Sequence, residues 1–231
     1  MPPATYDNDS PLADEFRRLV EAPTFPCVGA KSALARGQMH FVIARDITSA
    51  WDDLRIYPAL HEFALRYKHR PTLFQSLVVL FEGPQLLAEA QFEHHLWARI
   101  QSLSDKDDWH GQRHDARVSA DAKNPHFSLS FGGEAFFVVG LHPRASRPAR
   151  RFCVPAMVFN LHDQFEQLRA NGVFEKLKIT IARRDFALAG SPNPMLQSYG
   201  QGSEARQYSG RSVDAEWVCP FRRGQEIDFA P

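Results

Sequence analysis

The sequence is poor in cysteine and has no surplus of charge. Its three cysteines, Cys27, Cys153 and Cys219, form an odd set with no CxxC spacing, which argues against a paired disulfide framework and for a reducing compartment, the cytoplasm. The 27 Lys+Arg and 27 Asp+Glu cancel to a formal net charge of 0. The electrostatic footprint of a general nucleic-acid binder is therefore missing, and no nucleic-acid partner is expected. No stretch approaches the ~18 uninterrupted apolar residues of a membrane span. The opening MPPATYDNDSPLADEF lacks the basic and apolar regions of a signal peptide, so neither a membrane partner nor export is expected.

Several chemical motifs are absent as well. Without GxGxxG or GxxxxGK[ST] there is no dinucleotide fingerprint or phosphate loop, and without GxSxG no nucleophile elbow. His61-Glu62 starts like the zinc motif HExxH, but Leu65 stands where the second histidine belongs. His94 and His95 are about 100° apart on a helix and do not readily face one metal. No glutamate has a histidine three residues later, which disfavours a di-iron carboxylate centre.

Apolar residues make up 44% of the chain, with 18 phenylalanines among 231 residues, enough for one domain with a core able to host a cavity. Periodicity predicts a helix from Ser10 to Pro23, a turn over residues 24–31 and a strand over Met39 to Ala44. A helix over Ser49 to Tyr67, a buried strand over Thr72 to Phe81 and a helix over Pro84 to Leu103 follow, with residues 104–122 as a polar loop. HFSLSF (126–131) and AFFVVGL (135–141) read as strands joined across Gly132-Gly133, because glycine accepts the positive φ of a hairpin turn. AMVFNL (156–161) is a further strand, and Asn160 or Asp163 is placed to cap a helix starting near His162. The predicted class is α+β: a mixed, largely antiparallel sheet with a β-hairpin, packed by several helices, in a single domain with an irregular C-terminal segment.

The densest chemistry lies between His126 and His162, where His142 and His162 bracket Arg144, Arg147, Arg150 and Arg151. Neutral imidazole ligates haem iron, and guanidinium grips carboxylates such as haem propionates. The same residues equally allow turn and N-cap histidines bonded to backbone, and a solvated arginine loop pairing with acids. In the C-terminal run Glu204 is suited to a cationic substrate end, Arg206 or Arg211 to a carboxylate, and Tyr208 to proton donation.

The blocks FPCVGAK (25–31), FSLSFGGEAFFVVGLHPRASRPARRF (127–152), MVFNLHDQFEQLR (157–169) and NPMLQSYGQGSEARQYSGR with WVCPF (193–221) resemble the YqcI/YcgG family. The likeness spans residues 24–222, leaving 1–23 as an N-terminal extension with a helix and 223–231 as a tail. It implies a haem-dependent monooxygenase that hydroxylates a nitrogen of an amino acid, guanidino or amine substrate, using dioxygen and an external electron donor. The cofactor implied is haem b, held without covalent attachment, consistent with the absence of CxxCH. His142 is the first choice of iron ligand, His162 the second and His126 the third. Arg147, Arg150 and Arg151 are candidates for the propionates, Arg206 and Arg211 for substrate, and Glu204, Tyr208 and Glu134 for catalysis. The alternatives are a haem-binding sensor or carrier without turnover, and a non-haem domain whose arginine loop binds an anion.

Overall fold

A computed structural model describes residues 4–196 and 200–223. Most of the predicted tail, and Gln197 to Tyr199 of the C-terminal run, lie outside the described residues. Among the described residues the elements are α1 (Pro11–Glu21), α2 (Val28–Ala35), β1 (Met39–Asp46), α3 (Asp53–His69), β2 (Ser76–Gly83), α4 (Glu89–Trp109), β3 (Leu129–Phe131), β4 (Glu134–Leu141), β5 (Ala156–Leu161), α5 (His162–Ala170), α6 (Phe174–Ala189) and α7 (Ala205–Tyr208). The class is α+β, one domain around a mixed sheet of order β1-β2-β5-β4-β3 in which only β1 and β2 are parallel.

Local chemistry explains several boundaries. Ser10 accepts from the Ala13 amide and Pro11 occupies the first helical position, so α1 starts where expected. Gly132 and Gly133, at φ +60° and +80°, turn β3 into β4. β5 coincides with the predicted strand. β2 is buried along both faces from Ser76 to Phe81, which accounts for its unbroken apolar run.

Five expectations are corrected. Residues 28–31 are not a turn but the first turn of α2, capped by the Cys27 sulfur, which accepts from the Ala30 amide. Pro84 precedes α4 instead of opening it, and the helix runs on through residues taken for loop. It does so because Asp107 faces inward, accepting from Tyr57 Oη at 3.0 Å and the Gly132 amide at 2.9 Å. Of the sequence HFSLSF only the last three residues are strand. Neither Asn160 nor Asp163 caps α5, whose N-cap is Leu161 with no side-chain bond.

The two faces of the sheet differ. Val42, Val79, Val138 and Phe159 point into a solid core built with α3 and α4. The opposite face carries α1 and α2 over one region, packed on Phe41, Val78 and Leu80, and α5 and α6 over the rest. Gly140 lets α4 lie close: a Cβ there would come within 2.6 Å of Leu96 Cδ1 and 2.8 Å of Phe92 Cε1. Gly140→Ala is therefore expected to destabilise the fold by about 1–3 kcal/mol through overpacking, read as a lowered urea midpoint. An unchanged midpoint would show that α4 can retreat freely.

Candidate functional site

Where α5 and α6 cover the second face of the sheet they leave a cavity of about 360 Å³, within the span of roughly 300–1,000 Å³ usual for small-molecule sites. Its floor is set by strand register. Met39, Ser76, Asn160 and Phe137 form one cross-strand row, and in the next row, Phe41, Val78, Val158 and Val139, the last two line the cavity while the first two are covered by α1 and α2. The first row is polar at its centre, where Ser76 Oγ donates to Asn160 Oδ1 at 2.8 Å. The roof is the inner side of α6, with Phe174, Leu177 and Ile181, and Phe165 and Leu168 of α5 close one side.

Two titratable groups stand at the polar end. His162, the first residue of α5, is 6% exposed and lines the cavity. Burial lowers its pKa, favouring the neutral imidazole, the form that ligates metal. Glu204, also 6% exposed, lines the same cavity. Its Oε1 accepts from Ser128 Oγ at 2.7 Å and Tyr208 Oη at 2.8 Å. Burial dominates over these two donors and raises the carboxyl pKa to about 7, the poise of a group that can take or give a proton near neutrality. Tyr208 is fully buried beneath it, and desolvation together with the adjacent carboxylate holds its phenol in the protonated form.

Arginines line the cavity as well, and Arg169 of α5 is near enough to His162 and Glu204 to lower the pKa of both beside the effect of burial. Arg147 pairs with Asp185 of α6, with Nε at 2.9 Å from Oδ2. Among the described residues Arg150 faces no carboxylate at ion-pair distance; its guanidinium donates to the carbonyls of Gly140 and Gln207, each at 3.1 Å. Burial lowers its pKa to about 10. Both arginines line the cavity, as does Cys27, whose thiol pKa is raised by burial.

Of the residues singled out from the sequence, His162, Glu204, Arg147 and Arg150 are brought together, with Tyr208 directly behind Glu204. The remainder lie elsewhere. His142 follows Gly140 onto the α4 side of the sheet, where it is 1% exposed and stacks on Phe92 at 4.4 Å. A continuous sheet separates it from the cavity, so its first place among the ligand candidates is not supported by its position. His126 is exposed and lies against Gly200. Arg151 donates to the carbonyls of Ala145 and Ser146, and Arg144 to that of Leu86. The arginine loop thus spends two of its four guanidinium groups on backbone away from the cavity. Arg206 holds the carbonyls of Val213 and Asp214, and Arg211 pairs with Glu93. These two tie down the irregular C-terminal segment rather than face the cavity. Glu134 is held at 2.7 Å by Arg117, outside the cavity.

Ser76, Asn160 and Gln164 were not picked out as site residues. The available signal was a polar residue in or beside an otherwise apolar buried strand, because such a group needs a specific partner.

Among the described residues no cluster of three or more His, Cys, Asp or Glu side chains could hold a bare metal ion, and no helix is long and apolar enough to cross a membrane. No solved structure matches the chain. A Bacillus subtilis (strain 168) protein named uncharacterized protein YcgG is 26% identical over 211 residues, covering 87% of this chain and 82% of its own length. The profile of the YqcI/YcgG family matches residues 16–222, and with nearly the whole chain covered, this protein belongs to the YqcI/YcgG family.

Proposed function

We propose that the protein is a haem-dependent monooxygenase that hydroxylates a nitrogen of an amino acid, guanidino or amine substrate, and that it works in the cytoplasm. The observation that carries this reading is the meeting of His162 and Glu204 on one apolar-walled cavity. The donor set fits haem b: a buried imidazole kept neutral for iron, aromatic walls for the macrocycle, and Arg150 as a cation for a propionate.

Bound haem would supply the binding and activation of dioxygen. One oxygen atom goes to the substrate nitrogen and the other to water, which takes two electrons and two protons from outside the chain. The protein's own residues handle the substrate proton. A protonated amine or guanidinium has no lone pair to oxidise, so the nitrogen must lose a proton before it reacts. Glu204 is the acceptor: Ser128 and Tyr208 fix its Oε1, leaving Oε2 as the atom that takes the proton. The apolar roof over this end limits bulk water around the exchange. Glu204 also favours turnover over a carrier role, since a carrier has no need of a carboxyl poised near neutrality.

Hemin titration tests the reading. One equivalent should be taken up with a Soret band, and His162→Ala should weaken uptake at least as much as loss of an outer-shell partner does, roughly 10–100-fold. Added imidazole should restore the band, and His142→Ala should leave it in place. Failure to bind hemin, or a His162→Ala spectrum identical to wild type, would overturn the proposal. With a reductant and a panel of amines and amino acids, the expected product carries one added oxygen on nitrogen.

A further inference from the structure

The outer side of α6 is unusual for a solvent-facing helix. Ile179 and Phe186 are 67% and 51% exposed, and at helical spacing they share a stripe with the exposed Lys176 and Arg183. Arg184 adds charge at the border of the stripe, near enough to Lys31 of α2 to add to the lowering of that lysine's pKa, which burial dominates. Among the described residues no carboxylate lies within ion-pair distance of Lys176, Arg183 or Arg184. Glu175 is the one acidic side chain on this outer face, since Asp185 points inward to Arg147. A neutral chain therefore presents a local basic patch in which two apolar anchors alternate with the cations along the helix, the composition of a recognition surface.

We propose that this face of α6 docks a small acidic electron-carrier protein. The inference rests on the oxygenase reading for its purpose, but the surface itself is independent of haem. That chemistry needs two electrons per turnover, and the sequence holds no flavin or nicotinamide fingerprint of its own. A one-electron carrier of the iron–sulfur or flavodoxin class, oxidised once per electron delivered, is the reductant. The opposite side of the same helix roofs the cavity, so a carrier seated here lies about one helix diameter, ~10–12 Å, from the site it must reduce. Charge complementarity selects an acidic protein and speeds the encounter. A lipid surface fits less well, because the inner face of α6 is committed to the cavity and leaves two apolar side chains to insert.

A plant-type [2Fe–2S] ferredoxin serves as the acidic probe. Its binding to the full chain, followed by interferometry, should weaken with salt. Lys176→Glu/Arg183→Glu should weaken it at least ten-fold, and so should Ile179→Ser/Phe186→Ser, whereas Lys123→Glu, a reversal of an exposed cation elsewhere, should not. In hemin-loaded protein the first double variant should slow reduction by ferredoxin at least ten-fold with reduction by dithionite unchanged. No ferredoxin binding, binding indifferent to these substitutions, or patch-dependent binding to phosphatidylserine vesicles in its place would overturn the proposal. If the chain takes up no hemin, the oxygenase reading fails while the binding comparison still decides the docking surface.

Discussion

Glu204→Gln should abolish most turnover while making the protein more stable than wild type at alkaline pH. The glutamine keeps an Oε1 able to accept from Ser128 and Tyr208, so the local bonds survive. What it loses is the capacity to take a proton, which for a positioned general base amounts to about 10²–10⁴-fold in rate. The stability effect follows from linkage. Folding raises the Glu204 pKa from 4.5 to about 7, so between those values the native state holds a proton that the unfolded chain has released. Wild type therefore loses stability as pH rises through that window, and Glu204→Gln does not. The difference in unfolding free energy between variant and wild type should grow by about 3 kcal/mol from pH 4 to pH 8. Urea titrations at the two pH values measure it. A constant difference would mean that Glu204 titrates in the folded protein as it does in the unfolded chain.

Arg147→Ala should cost about 3–5 kcal/mol, the usual consequence of leaving a buried carboxylate without its cation. Asp185 is 7% exposed and is the one fully buried residue of α6. Arg147 grips it through two nitrogens and also holds the carbonyl of Ser191 at 2.9 Å, just beyond the helix. The helix roofs a cavity, with α2, α5 and this pair among its attachments to the rest of the fold. Amide exchange in α6 should accelerate in the variant well before that in β2 or β5 does. The double replacement Arg147→Met/Asp185→Leu should recover most of the lost stability, because an apolar pair needs no desolvation of charge. A loss below about 1 kcal/mol with α6 protection unchanged would show that the pair contributes only as an exposed ion pair would.

Much of the fold is legible in the sequence where local chemistry decides it. Ser10-Pro11 fixes the start of α1, the Gly132-Gly133 turn fixes the hairpin, and the apolar AMVFNL run gives β5 to the residue. The start of α2 is not legible, because its cap is a cysteine sulfur and its first turn holds a glycine. Nor is the end of α4, where polar Asp107 reads as solvent-facing until Tyr57 and the Gly132 amide are brought to it. For the site, the composition of the segment from His126 to His162 points to the neighbourhood of the cavity but not to which histidine lines it. Side chains alternate along a strand, and the face each histidine takes relative to the other depends on how β4 and β5 are aligned. Their register sets Phe137 against Asn160 and Val139 against Val158, which puts His162 on the cavity face and His142 behind it. That alignment is a long-range property, set by which faces are buried. The roles of Arg206 and Arg211 were hidden for a similar reason, since their partners are a backbone turn and a glutamate more than a hundred residues away.

The alternation carries a further meaning. In β4, Phe136 and Val138 are enclosed by the packed helices, while Phe137 and Val139 between them pack at the core's edge and also line the cavity. Two environments are thus interleaved along the same strand, one closed by packed helices and one open to the cavity. A substitution at Phe137 or Val139 therefore reshapes the cavity wall and the packing beside it together, whereas one at Phe136 or Val138 acts on the core alone.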